Sequence, residues 1–310
     1  MLSEEGRAGL EHNDLSAVGT IPGIKLRANI RGADYSTMAV GGPLEFLAEP
    51  ESAAALSGLI KRLNTAGVSY RILGLGSNVL IPDQGVPGYV IKLGAGFRML
   101  QDLGAGLLRV GGANALMTVS RQLSEQGLCG LEFAGGIPAS IGGAVRMNAG
   151  AHGHEMAELI ERVEIVNQSG ELLTLSAKEL TFSYRYSSFA EGCVVAAVAL
   201  RPVPGDAAAS AKLRAEYLAE RKQRQPLSVP SCGSVFKNPS REQPAGKLIE
   251  EAGLKGYQVG GARISELHAN WIVNPERLAS CADVQTVIDH IVKKVQAHAG
   301  IGLEPEVVRW

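Results

Sequence analysis

Apolar positions along the chain change period several times, and each change marks an element. Leu44 to Ala48 predicts a strand, Glu51 to Thr65 a helix ended by Gly67, and Tyr70 to Leu73 a short apolar strand. Strands follow at Tyr89 to Lys92 and Leu107 to Val110. Within Ala113 to Gln126, Leu116, Val119 and Leu123 fall at helical spacing, with Gly127 placed to cap the helix. Further strands are expected at Val163 to Val166, Leu172 to Leu175 and Val194 to Leu200. The last is a continuous apolar run, the mark of a strand buried on both faces. A charged helix is expected from about Ala211 to Lys222 and a short one from Ala245 to Ala252, closed by Gly253. Trp271 to Val273 is an apolar strand. The final helix carries Val284, Val287, Ile288, Ile291, Val292 and Val295 on one stripe.

This alternation excludes an all-helical fold and predicts α/β or α+β. Pro202, Pro204, Gly205 and Asp206 punctuate the chain before a run of alanines. They divide it near residue 203. Residues 1–30 read as an extended or frayed leader, 31–203 as a region of two lobes meeting between 80 and 100, and 204–310 as a C-terminal unit.

One stretch fits neither period. Gly135 to Gly153 holds six glycines and four alanines in nineteen residues. Glycine loses more entropy on folding than any other residue, so a dense run needs a reason. A flexible linker is normally polar and Ser-rich, whereas Ile137, Ile141, Val145 and Met147 stand here. Two readings remain: a loop whose backbone approaches a ligand closely, or a packed structural turn.

Charge narrows the partners. Lys and Arg number 30 against 31 Asp and Glu. With no basic tail, nothing draws the chain toward nucleic acid. Met1 to Thr20 lacks the apolar core of a signal peptide, and no apolar stretch is long enough to span a bilayer. No membrane insertion and a cytoplasmic location are expected. Cys129, Cys193, Cys232 and Cys281 form no Cys-x-x-Cys pair, which argues against a disulfide framework or zinc site. His152 and His154 have too little support for a metal site. A small-molecule protein without an obligate protein partner is the default.

Five polar segments carry the candidate chemistry. Gly74-Leu75-Gly76-Ser77-Asn78 follows a strand as a phosphate-binding turn does, but Val79 replaces the third glycine of a dinucleotide fingerprint. A plain turn fits equally; the second glycine-rich segment adds the possibility of two loops clasping one dinucleotide. Arg185, among Tyr184 and Tyr186, is either a stacked structural group or the neighbour of a substrate carboxylate. Ser234 lies in Ser231 to Pro239 with no Gly-x-Ser-x-Gly elbow. It can relay a proton or cap a turn, and Cys232 beside it has the commoner role of a small buried residue. Gly260 to Trp271 clusters polar groups before a strand, and Glu304 and Glu306 lie in the tail. Arg224 and Arg263 can meet phosphate or lie on the surface.

In this order the segments resemble the UDP-N-acetylenolpyruvoylglucosamine reductase (MurB) family, in its subtype lacking an extra tyrosine-bearing loop. The resemblance runs from about Tyr35 to Val308. It rests on Tyr35-Ser36-Thr37 with Gly41-Gly42-Pro43, on Gly74 to Leu80, and on Gly135 to Gly153. The Ser-Tyr-Arg, Gly-Ser-x-Phe-Lys-Asn-Pro and His-Ala-Asn segments complete it. It implies an α+β fold: a two-lobed FAD-binding region of the vanillyl-alcohol-oxidase (PCMH) type and a C-terminal substrate lobe. It implies NADPH-dependent, FAD-mediated reduction of UDP-N-acetyl-enolpyruvylglucosamine to UDP-N-acetylmuramate, a step of peptidoglycan synthesis and hence of cell shape and division.

By the same resemblance, Ser234 donates a proton to carbon, while Arg185 and Glu306 stabilise an enol-like intermediate. The implied cofactor contacts are Gly74, Leu75, Gly76, Ser77, Asn78, Val79, Gly135, Ile137, Pro138, Ser140, Gly142, Gly143, Asn148 and Gly150. The implied substrate contacts are Tyr184, Lys237, Asn238, His268 and Asn270. Two residues depart from the family pattern: His152 stands where a tyrosine is common, and Ala39 where a basic residue is frequent. A flavin oxidoreductase with another substrate, or a nucleotide-binding protein without catalysis, would not need Arg185, Ser234 and Glu306 together.

Overall fold

A computed structural model describes residues 21–310. The expected leader lies outside the described residues as far as residue 20. The rest of it enters the first lobe as strand β1 (Ile24–Arg31), antiparallel to β2 (Pro43–Pro50). With β3 (Tyr70–Ile72) and β4 (Val86–Ile91) these form one sheet of order β1-β2-β4-β3, whose last three strands run parallel. Helix α1 (Ala53–Thr65) makes the crossover between β2 and β3. Its N-terminus is set by Ser52, whose Oγ accepts the Ala55 N–H at 3.2 Å.

The second lobe is a five-stranded antiparallel sheet of order β8-β7-β9-β6-β5. Its strands are β5 (Leu100–Asp102), β6 (Leu108–Gly111), β7 (Ile160–Val166), β8 (Leu172–Ser176) and β9 (Val194–Leu200). Every residue of β9 is buried, as its unbroken apolar run requires. A register shift at Ala196, between Val195 and Ala197, divides them: Val194 and Ala196 join the core beneath α1, while Val195, Val198 and Leu200 join the core beneath α2 (Leu116–Glu125). Central strand β9 thus holds the first two lobes together. The short α3 (Ile141–Arg146) lies on the same side as α2.

Helix α4 (Ala207–Arg224) packs against α2 and the 132–136 turn, with Tyr217 lying on the second lobe's core. Pro202 to Asp206 is therefore not where the chain leaves that lobe; it does so after Arg224. The packing also explains part of the glycine density. A Cβ at Gly135 would stand 2.7 Å from Arg214 Cγ, and one at Gly136 would stand 3.0 Å from Arg221 Cδ. Here glycine lets a helix approach.

The C-terminal lobe is the antiparallel sheet β10-β13-β12-β11, from β10 (Ser231–Ser234), β11 (Gln258–Val259), β12 (Ala262–Ile264) and β13 (Trp271–Val273). Helices α5 (Ala245–Glu251) and α6 (Cys281–Ala299) cover it. The stripe read from sequence on α6 supplies buried Val284, Val287, Ile288, Ile291 and Val295. Gly300, at φ 70°, ends the helix in the left-handed region that glycine tolerates best.

This lobe is fastened to the first at three places. Met38, Val40 and Leu80 share its core. Asp83 accepts the N–H groups of Cys281 and Ala282 at 2.7 and 2.9 Å, a favourable partner for a helix N-terminus. The tail returns to pair Val308 with Val79 and Arg309 with Leu80, in parallel. Among the described residues no helix is long and apolar enough to cross a membrane.

Candidate active site

A cavity of about 880 Å³ opens where the three lobes meet. Its floor is the Gly74–Val79 loop and the 137–152 segment. Its walls are the end of α4, strand β10, His268, Trp271 and the returning tail. Two buried donors or acceptors in this lining, His152 Nε2 and Trp271 Nε1, have no hydrogen-bond partner among the described residues. A buried polar atom without a partner is costly, so each calls for a ligand group.

The two glycine-rich loops touch each other. A Cβ on Gly74 would stand 2.5 Å from Ser140 Oγ, and that oxygen in turn accepts the Gly143 N–H at 3.2 Å to start α3. Gly76 has φ +69°, and a Cβ there would fall 1.8 Å from the Tyr35 carbonyl oxygen, so backbone crowding alone demands glycine. Gly74, Leu75, Gly76, Ser77, Asn78, Val79, Ile137, Pro138, Ser140, Gly143 and Gly150 all line the cavity. Gly135, Gly142 and Asn148 do not. Gly135 lies under α4. The N–H of Gly142 donates to the Gly112 carbonyl at 2.9 Å. Asn148 is fully buried, and its amide is already used: it donates to Glu155 Oε2 and the Ser183 carbonyl, and accepts from Ala157 N–H. Asn78 lines the cavity but also donates to the Glu306 carbonyl at 3.1 Å, so it positions the tail.

Arg185 sits at the tip of the hairpin formed by Phe182–Ser183 and Tyr186–Ser187, with φ 55°. Its Nε donates to Glu306 Oε1 at 2.9 Å, its Nη2 to the Gly150 carbonyl at 3.1 Å, and its Cζ lies 5.0 Å from the Tyr184 ring centroid. The pair is largely enclosed, at 21% and 14% side-chain exposure. Glu306 is distinguished from Glu304 by this burial, because Glu304 is 69% exposed and pairs with Lys237 at 2.6 Å. Burial pushes the Glu306 carboxyl up from its ordinary range, outweighing the opposing pull of Arg185 and Lys237. Its backbone is held by the Val235 carbonyl, which accepts the Glu306 N–H at 2.7 Å.

Ser234 ends β10 opposite Trp271 and lines the same cavity as Arg185 and Glu306. Cys232, two residues earlier, is fully enclosed, and burial pushes its thiol up to about 12. It carries no thiolate at neutral pH, and hence no nucleophile.

Of the proposed substrate contacts, His268 lines the cavity. Its Nδ1 accepts the Asn270 N–H at 3.2 Å, so the neutral ring carries its proton on Nε2. Burial lowers its pKa, which keeps the ring neutral at physiological pH. Tyr184, Lys237 and Asn238 stand together outside the lining: the Tyr184 hydroxyl accepts the Asn238 N–H at 3.3 Å, and Asn238 Oδ1 accepts the Ala245 N–H at 3.0 Å. Asn270 is 3% exposed and spans the Phe236 peptide, accepting from its N–H and donating to its carbonyl.

His152, the departure from the family pattern, lies flat on Tyr217 of α4, with ring centroids 3.9 Å apart and an interplanar angle of 11°. Its Nδ1 is 3.6 Å from Glu220 Oε2. Arg221, one turn beyond Tyr217, was not singled out by the sequence. It lines the cavity, and burial followed by the charge of Arg185 pushes it down to about 10. It is still a cation at neutral pH. Its Nε donates to Gln225 Oε1 at 2.9 Å, and among the described residues no carboxylate lies within ion-pair distance. The signal was present only as helical spacing from Tyr217. Arg224 also reaches the lining, and Arg263 does not. Among the described residues no cluster of His, Cys, Asp or Glu is arranged to hold a metal.

Residues 225–310 match the family described as UDP-N-acetylenolpyruvoylglucosamine reductase, C-terminal domain, and residues 44–176 match the FAD binding domain. The UDP-N-acetylenolpyruvoylglucosamine reductase of Heliobacterium modesticaldum is 44% identical over 276 residues, covering 88% of this chain and 87% of the relative. That of Bacillus subtilis is 40% identical over 288 residues, covering 91% and 93%. The crystal structure of UDP-N-acetylenolpyruvylglucosamine reductase (MurB) from Thermus caldophilus superposes with a TM-score of 0.79 at 36% identity, covering 93% of this chain and 98% of that one.

Proposed function

Since the chain belongs to the UDP-N-acetylenolpyruvoylglucosamine reductase family, we propose that it reduces the enolpyruvyl ether of UDP-N-acetylglucosamine to UDP-N-acetylmuramate, with NADPH as the hydride source. It is an FAD-dependent oxidoreductase of peptidoglycan precursor synthesis. The observation that carries the reading is the convergence of Arg185, Ser234 and Glu306, from three separate segments, on one cavity.

The residues present fit FAD. The cavity is of ligand size, its floor is exposed backbone, it offers the unpaired cation Arg221, and it holds two orphaned polar atoms. When bound there, FAD supplies the hydride carrier between nicotinamide and the vinyl carbon. The protein's own residues handle the charge and the proton. As the vinyl carbon is reduced, negative charge builds on the neighbouring carbon and its carboxylate. Arg185 is held on one edge by Gly150 and Glu306, so a guanidinium is fixed in place before the charge develops. Glu306, with its raised pKa, retains a proton more readily than an exposed carboxylate and can hydrogen-bond an enol oxygen. Ser234 supplies the proton to carbon. A serine hydroxyl is a feeble acid, so it must be recharged, and the Nε2–H of neutral His268 is a donor in the same cavity.

Purified protein should be yellow, bleach on NADPH, and recolour anaerobically on adding UDP-N-acetyl-enolpyruvylglucosamine. A protein that remains colourless after FAD reconstitution, or that bleaches and never recolours with this substrate, would sink the reading.

A further inference from the structure

A second cavity, of about 310 Å³, lies behind the Gly74–Leu75 turn. It shares Gly74, Leu75, Ser140, Gly143 and Trp310 with the main cavity, so the two are continuous along that turn. Neither Arg185, Ser234 nor Glu306 lines it. The reacting ring of a dinucleotide therefore belongs in the main cavity. The second cavity is left for the other end of an extended molecule that passes Gly74.

Trp310 stands at the junction. Parallel pairing of Arg309 with Leu80 sets its backbone, and its N–H donates to the Leu80 carbonyl at 3.2 Å. The Arg71 guanidinium lies 5.7 Å from the centroid of its ring. Trp310 packs beside the first lobe's core and lines both cavities, and Arg71, Lys92 and Arg146 bring cationic groups to the second. An indole held by a guanidinium is a stiff, flat, electron-rich surface. With cations beside it, it suits a nucleobase followed by phosphates. Resting on the FAD reading above, we propose that Trp310, backed by Arg71, is the stacking surface for the adenine ring of FAD, and so a binding residue where the two cavities join.

The test separates the two halves of the cofactor. FAD and FMN share the flavin, ribityl chain and first phosphate; only FAD carries adenosine. Dissociation constants for the apoprotein are measured by quenching of flavin fluorescence. In Trp310→Leu, which keeps an apolar side chain against the first lobe but loses the flat ring, FAD should bind roughly tenfold or more weakly, the usual scale of one base-stacking contact. FMN should bind as it does to the wild type, and Trp310→Phe should recover most of the FAD affinity.

Unchanged FAD affinity in Trp310→Leu overturns the proposal, as does an equal loss for FAD and FMN. Thermal unfolding of the apoproteins provides the control: a residue that merely caps the first lobe would lower the melting temperature and weaken both ligands alike. A wild-type protein that binds neither flavin fails at the FAD reading itself, a result distinguishable from failure of Trp310 alone.

Discussion

Arg185 Nε lies 2.9 Å from Glu306 Oε1 although 121 residues separate them in the chain. The contact joins a second-lobe hairpin to a tail that has already passed through the C-terminal lobe. Arg185 adopts a positive φ to reach it, a conformation that costs a non-glycine residue energy. In Glu306→Gln the hydrogen bond from Arg185 can survive, but the acidic carboxyl that hydrogen-bonds the enol oxygen is lost. Recolouring of reduced enzyme by the enolpyruvyl substrate should slow by about 10²–10³-fold, the scale of one preorganised group at a charge-developing site. Bleaching by NADPH should be unchanged. Stopped-flow absorbance separates the two, and equal slowing of both would show that Glu306 acts only on structure.

Ser234→Ala removes the hydroxyl without leaving a large void, since the side chain lines open cavity. Reduction by NADPH should persist. Substrate turnover should fall by about 10²–10⁴-fold, the range for loss of a positioned proton donor. A solvent deuterium isotope effect on recolouring, present in the wild type, should change in the variant. Retention of the wild-type rate would remove Ser234 from the proton path.

Arg221 is a half-buried cation facing another cation, and among the described residues no carboxylate lies within ion-pair distance of it. Such a group is held at a cost to the apoprotein and is relieved by an anionic ligand. Arg221→Met should leave the apoprotein's urea midpoint unchanged or raised. It should weaken FAD or UDP-sugar binding by roughly 10–100-fold, the worth of a hydrogen bond to a charged group. Isothermal titration with each ligand identifies which phosphate it meets. Lower apoprotein stability combined with normal binding of both ligands would make Arg221 a structural residue.

Asn148 and Asn270 show where reading the chain stops. Their segments are recognisable, but an asparagine in a glycine-rich or polar run looks alike whether its amide faces a ligand or a buried peptide. The fold resolves this: Asn148 is consumed by Glu155, Ser183 and Ala157, and Asn270 by Phe236. Removing either should therefore destabilise rather than specifically weaken a ligand. Asn148→Ala should cost about 2–3 kcal/mol in urea unfolding, as expected when buried partners lose their hydrogen bonds. An unchanged urea midpoint with weakened FAD binding would return Asn148 to the ligand.

Strand β9 and helix α6 were legible because periodicity reports burial directly. Helix α4 was placed in the wrong unit because its surface is charged and its contacts are made through Tyr217 and the bare backbone of Gly135 and Gly136. A glycine marks close approach without saying whether a ligand or a helix approaches. The convergence of Arg185, Ser234 and Glu306 lay beyond local pattern altogether. It depends on the tail pairing beside Val79, and only the ordered resemblance to a family pointed to it.

His268 makes stability depend on pH in a definite direction. Burial is the main cause of its lowered pKa; Lys255 adds to the lowering, while its backbone hydrogen bond and Glu250 oppose it. An ordinary histidine titrates near 6.5, so below that pH the unfolded chain takes up a proton that the folded ring resists. The contribution of His268 to stability is therefore complete above about pH 6.5 and is lost as pH falls from there toward its folded value. His152, lowered chiefly by burial, has the same sign. His268→Gln retains polarity without a titrating proton and should flatten the fall in melting temperature between neutral and mildly acidic pH. The same variant should slow recolouring by substrate more than bleaching by NADPH if Nε2–H recharges Ser234. A wild-type melting temperature that rises on acidification through this window would contradict the buried neutral ring. A flattened stability profile with normal recolouring would leave His268 as a positioning residue for Asn270, with Ser234 reprotonated from solvent.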